Sequence, residues 1–119
     1  MQSFWQIINA KVVDSNMIIG SIVLYLLLGL IFTIMHLGVL EILPTALDGV
    51  VYSSWRESFS AVSYFSFVTL STLGYGDITP TNSLSQFFVY SESIVGVFYM
   101  AIIVASIVSI KIKGKVDDN

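Results

Sequence analysis

The chain has 119 residues, no cysteine, one histidine and a formal net charge of −3. Hydrophobic residues make up 55% and charged residues 11%, with a mean hydropathy of +0.86, a balance that suits lipid rather than water. The acidity argues against a nucleic-acid partner, disulfides are excluded, and one histidine without paired carboxylates supplies neither a metal cluster nor a nucleophile–base set, so enzyme chemistry is not expected.

At the start, Phe4, Ile7, Ile8 and Lys11 follow helical spacing, and Trp5 and Lys11 suit the headgroup level. Residues 1–14 are therefore expected to form a short amphipathic helix on the inner membrane surface. That helix is either a simple anchor or a segment coupled to gating. Asp14-Ser15-Asn16 is expected to break the chain and cap the next helix. MQSFWQ lacks a basic n-region, so the first span is expected to act as its own uncleaved insertion signal. Met17 to Leu40 contains no Asp, Glu, Lys or Arg and is long enough to cross a bilayer core, which predicts an outer helix over 17–43. Pro44 fits its stop, and 44–57 reads as an extracellular turret. His36, the one histidine, lies in the outer part of this span and reads either as a packing residue or as a proton sensor, histidine being the side chain that ordinarily changes charge near neutral pH. Gly20, Gly29 and Gly38 read as packing sites.

Ser58 to Leu70 is aromatic and hydroxyl-rich but too short to span, so a re-entrant helix is expected over 58–71. It leads directly into Thr72-Leu73-Gly74-Tyr75-Gly76-Asp77, the loop 72–77. Two glycines there open backbone angles closed to residues with a Cβ, so successive carbonyls can point the same way. Non-helical backbone at membrane depth is tolerated where protein buries it or where it lines an aqueous path. A second apolar run, Leu84 to Ile110, is interrupted only by Gln86 and Glu92 and predicts an inner helix over 83–112. Lys11, Lys111, Lys113 and Lys115 fall on one side of the two spans and Arg56 on the other, which places both termini in the cytoplasm. The opposite side carries Glu41, Asp48, Glu57 and Asp77, either ordinary loop polarity or a field that concentrates cations.

The run FSFVTLSTLGYGDITP, Phe65 to Pro80, resembles the selectivity-filter region of potassium channels, above all the two-transmembrane bacterial ion-channel family. Small viral potassium channels share the architecture, and the resemblance covers about Met17 to Ile112. It implies an all-α membrane protein with two transmembrane helices, a re-entrant pore helix and a filter loop, assembled as a fourfold homotetramer. It further implies passive K⁺ conduction in a lipid bilayer, with K⁺ as permeant ion and no cofactor. A prokaryotic plasma membrane is the expected location. By the same resemblance K⁺ is held at Thr72, Leu73, Gly74 and Tyr75 within the filter 72–76, and Asp77 shapes the outer mouth. Tyr64 and Phe65 stand where the family carries an aromatic pair, and Thr69 stands on the face expected to back the filter. Tyr75 would then lean on Thr69, Tyr64 or water, because Phe65 has no hydroxyl. Val68 replaces a glutamate that pairs with the post-filter aspartate in some members.

Gly96 lies nineteen residues after Asp77, where the resemblance implies a hinge; close packing is the other reading. Ser93, Val97, Met100 and Val104 form one stripe that would line a cavity, and Val108 and Ile112 continue it towards a gate. Glu92 is an ionisable residue inside a span and hence a functional candidate. About a quarter-turn off the stripe at 100° per residue, it is expected behind the filter. There it would bond Ser66 or Thr69 and stand in for the glutamate missing at Val68. A packing role without effect on conduction is its alternative. A weakly selective cation channel and a non-conducting modulatory subunit stand beside the main reading of the whole chain.

Overall fold

The structure, a computed structural model, describes residues 2–117, with side chains over 15–114. Five elements follow in order: α1 Gln2–Ile42, β1 Leu47–Asp48, α2 Trp55–Leu70, β2 Thr79–Pro80 and α3 Ser83–Asp117. Two stretches are long and apolar enough to cross a membrane, Ser15–Ile42 within α1 and Ser83–Gly114 within α3. Helix α2, with 16 residues, reaches about 24 Å at 1.5 Å per residue, short of the roughly 30 Å hydrocarbon core.

Helix α1 corrects one expectation. It runs unbroken through Asp14-Ser15-Asn16, where a break was predicted. None of the three is glycine or proline, and each costs a helix interior only a few tenths of a kcal/mol, at most about 0.7. The apolar span that begins at Met17 must satisfy its backbone within the helix once in lipid, and the helix continues back through them. The side chains of Phe4, Trp5, Ile7, Ile8 and Lys11 lie outside the described residues. At the other end, Leu43 still donates its N–H to the Val39 carbonyl at 2.7 Å, and Pro44 ends the pattern.

Helix α2 begins three residues before its predicted start. Ser54 is extended (φ −151°, ψ 159°) and its hydroxyl accepts from the Glu57 N–H at 3.4 Å. Ser54-Trp55-Arg56-Glu57 is thus an S-x-x-E capping sequence, with Glu57 also putting negative charge on the first turn. The contact is long, so Ser54→Ala should cost about 0.5–1 kcal/mol, the lower part of the cap range. Thermal unfolding in detergent, compared with the unsubstituted chain, measures that loss. Helix α3 extends five residues past its predicted end to Asp117.

Two compact units emerge. One contains Leu26–Phe98; the other combines Met1–Tyr25 with Tyr99–Asn119. The Leu26–Phe98 unit holds α2, the loop that follows it and the short antiparallel pair of β1 with β2, registered Leu47 to Pro80 and Asp48 to Thr79. Its apolar core joins Leu37, Leu40, Leu47, Val62, Phe65 and Ile78. In the other unit the Tyr25 and Tyr99 rings pack at 5.6 Å, and the Tyr99 hydroxyl donates to the Ser21 carbonyl.

Candidate functional site

The loop after α2 is tied to the end of that helix through its amides. Ser71 N–H bonds the Phe67 carbonyl and Thr72 N–H the Thr69 carbonyl, each at 3.0 Å. Leu73 N–H and Gly74 N–H then converge on one oxygen, the Val68 carbonyl, at 3.0 and 3.3 Å. This answers part of the need of a helix end, whose last carbonyls have no partner within the helix. It also orients the opposite side of the strand. In a trans peptide the C=O lies antiparallel to the N–H of the same plane, and the described chain has no cis bond. With the amides of Leu73 and Gly74 aimed at Val68, the carbonyls of Thr72 and Leu73 face away from it.

The backbone alternates in hand along the same stretch. φ is +61° at Thr72, +59° at Gly74 and +90° at Gly76, and is not positive at Leu73 or Tyr75. Alternation of this kind brings successive N–H groups to one side of the chain and successive carbonyls to the other. Glycine takes positive φ freely, but threonine is β-branched and is strained there. Strain of this type costs roughly 1–3 kcal/mol and collects at functional positions. The Leu73 and Tyr75 side chains are 67% and 72% exposed in the single chain. Among the described residues no hydrogen bond joins Tyr75 to Thr69 or to Tyr64. The Thr69 hydroxyl instead donates to the Phe65 carbonyl of its own helix at 2.8 Å.

Beyond the glycines the chain is latched to the turret. Thr81 donates its N–H to the Ala46 carbonyl at 2.9 Å and its hydroxyl to the Thr45 carbonyl at 2.6 Å. Gly49 has φ +92°, and a Cβ there would collide with the Asp77 carbonyl oxygen. The Asp77 carboxylate accepts from the Ile78 N–H at 3.1 Å. The Tyr64 phenol faces the same carboxylate, and desolvation together with that facing charge holds its pKa above the usual phenol value. Asp77 therefore meets Tyr64, which the sequence had offered, beside Thr69 and water, as one of three supports for Tyr75. The Tyr52 hydroxyl of the turret donates to Glu41, and that hydrogen bond, with desolvation and the carboxylate's charge, raises the Tyr52 pKa. An open cleft of about 310 Å³ runs behind the loop, lined by Thr69, Thr72, Gly74, Gly76, Val89 and Ser93 among others.

Glu92 is fully buried and stands between α1 and α2. Its Oε2 lies 2.7 Å from His36 Nε2, and its Oε1 lies 2.5 Å from the Ser66 hydroxyl. Of the two pore-helix hydroxyls considered for it, Ser66 is brought together with Glu92 and Thr69 is not. The Ser66 oxygen is also 2.7 Å from the Gly29 carbonyl, which accepts from the Thr33 hydroxyl at 2.7 Å as well. Phe65 packs its ring against His36 at 5.2 Å. What sequence reasoning missed is that His36 is the partner of Glu92. The available signal was that both are ionisable and lie in the outer halves of two adjacent spans, where such groups usually pair.

Gly96 is pressed against the end of α2. A Cβ built there would overlap the Leu70 carbonyl oxygen, backbone against backbone. Helix α3 continues through the position without interruption. In the same unit Val97 is exposed; in the other, Met100, Val104, Val108 and Ile112 are exposed too.

A family model described as "Ion channel" matches residues 22–112, more than three-quarters of the chain and all of the elements that build this site. No curated protein and no solved structure matches it. With two apolar helices flanking a half-length helix and a tethered loop, the chain is an integral membrane protein and belongs to the ion-channel family.

Proposed function

We propose that the chain is one subunit of a homotetrameric potassium-selective channel, with Thr72 to Gly76 as its filter strand. The observation that carries this reading is the convergence of the Leu73 and Gly74 amides on Val68, which turns the Thr72 and Leu73 carbonyls to the opposite side. Continued through Gly74 and Tyr75 by the alternating φ, the strand offers a row of oxygens. Four such rows around an axis would replace the hydration shell of a dehydrated K⁺. The Thr72 hydroxyl would add an inner ring. One chain supplies one row, so conduction requires assembly. The exposed Leu73 and Tyr75 side chains support it, because neighbouring subunits would cover them.

The rest of the chain serves that row. The C-terminal end of α2 carries roughly half a negative charge, which favours a cation below the filter. Asp77, backed by Tyr64, shapes the outer mouth. The exposed stripe of Val97, Met100 and Val104 lines the cavity, and Val108 and Ile112 narrow its far end. Lys11 and the lysines after the second span favour cytoplasmic termini, and the resemblance to the bacterial family favours a prokaryotic plasma membrane.

The test is ion flux and reversal potential of purified protein in liposomes under opposed K⁺ and Na⁺ gradients. Reversal near the K⁺ equilibrium potential, with block by Ba²⁺, is expected. Equal Na⁺ permeation would overturn selectivity, and absence of flux from the purified chain would overturn self-sufficient conduction.

A further inference from the structure

We propose that Glu92 carries a proton and forms with His36 a neutral, proton-sharing pair that positions the pore helix, so that conduction is bounded by pH on both sides. The inference rests on the reading of this chain as a conducting channel, but its first test does not.

The assignment follows from counting protons over four groups. The Gly29 carbonyl can only accept. The Ser66 oxygen lies 2.7 Å from it, and two oxygens at that distance need a proton between them, so the Ser66 hydroxyl donates to Gly29. Ser66 has no second proton, yet its oxygen is also 2.5 Å from Glu92 Oε1. That contact requires a proton on Oε1, and Glu92 is therefore a carboxylic acid. Its Oε2 is then a carbonyl oxygen, which accepts from His36 Nε2–H at 2.7 Å. A neutral imidazole satisfies that bond with its proton on Nε2. Every short contact is satisfied, and the cluster has no net charge.

Removing the Glu92 proton leaves an unmatched carboxylate in a group with no exposure to water. Adding one to His36, itself 1% exposed, leaves an unmatched cation. Other charged or titratable groups in this unit have different partners or are directed elsewhere. On α1, Glu41 is held by Tyr52. On α2, Glu57 is held by Ser53, Arg56 stacks over Trp55, and Tyr64 faces Asp77. On α3, Tyr90 is exposed. None compensates a charge on the pair. The cluster links α1 at Gly29 and His36 to α2 at Ser66, two residues before the Val68 carbonyl that orients the loop. A charge arising there strains the tie that sets the filter strand.

The first measurement is infrared titration of the chain in lipid, wild type against Glu92→Gln. A protonated-carboxyl stretch is expected at neutral pH, absent in Glu92→Gln and lost from wild type on alkalinisation. Absence of that band at neutral pH would overturn the proposal. Should Glu92→Gln fail to assemble, Ser66→Ala replaces it: a shift in the frequency of the band supports the assignment, and an unmoved band overturns it. The second measurement is flux against pH. Wild type is expected to lose flux on the alkaline side by about tenfold per pH unit, the slope of one proton. Glu92→Gln keeps both hydrogen bonds, since its amide oxygen accepts from His36 and its NH₂ donates to Ser66. Its neutral flux should stay within about twofold and its alkaline limb should vanish, whereas a persistent alkaline limb would overturn the role of Glu92. His36→Gln should remove the acidic limb in the same way, and retention of that limb would overturn the role of His36. Reversal potentials recorded in the same vesicles register any failure of K⁺ selectivity separately.

Discussion

Gly96→Ala is expected to lower the thermal stability of the assembled protein by about 3 kcal/mol per subunit, the upper end of the cost of overpacking. The added methyl would meet the Leu70 carbonyl, which is backbone and cannot rotate aside. Leu70 closes α2, so relief requires moving the end of the pore helix, together with the Val68 and Phe67 carbonyls that hold the loop. At present the hydrogen in the place of that methyl points at the Leu70 oxygen, a weak Cα–H···O contact. A hinge makes the opposite prediction. Alanine favours a helix over glycine by about 1 kcal/mol, so a residue that served only as a hinge would gain stability on substitution while opening less readily. Thermal midpoints of the detergent-solubilised assembly, read beside single-channel open probability, separate the two readings by sign.

Gly49→Ala should uncouple the turret from the outer mouth. Two costs add at this position. Left-handed φ costs a residue with a Cβ roughly 1–2 kcal/mol, and the Cβ itself would strike the Asp77 carbonyl. The two-residue pairing of Leu47–Asp48 with Thr79–Pro80 is too short to hold against that displacement. Asp77 should then leave its place beside Tyr64. The expected outcome is a loss of at least about 2 kcal/mol in stability, with weakened Ba²⁺ block and selectivity. Stability and reversal potential measured on the same preparation check it, and a variant that behaves as wild type in both would mean the latch is dispensable.

Much of the frame was legible in the sequence because lipid imposes simple rules. Two apolar runs of sufficient length, one uncharged and one carrying only Glu92, a shorter aromatic segment and a glycine pair mark the spans, the half-length helix and the loop. Boundaries were less legible. Asp14-Ser15-Asn16 contains good capping residues, but capping residues also sit inside helices when the flanking sequence favours continuation. Ser54 and Glu57 carried the opposite signal, a capping box that moves the start of α2 earlier than the apolar pattern suggests. The contact between His36 and Glu92 joins positions 56 apart in sequence and depends on how α1 faces α3, which periodicity along one helix does not report. The bond of Thr69 to its own helix and the facing of Tyr64 to Asp77 depend on rotamers, again beyond spacing.

The shared acceptor at Val68 also bears on how steadily the pore would run. Rotating the Leu73–Gly74 peptide, the movement that would take one oxygen out of its row, breaks the Gly74 bond and disturbs the Leu73 bond beside it. The broken bond is worth about 1 kcal/mol, and both together about 2 kcal/mol, which holds the rotated form in each strand between roughly 15% and a few per cent of the time. In the proposed tetramer four strands would line one path, so a single rotated peptide would be enough to interrupt the current. On the proposed reading the frequency of brief silences in a long recording would be set by one carbonyl oxygen at the end of a helix, and weakening it should make the current flicker before it makes the pore leak.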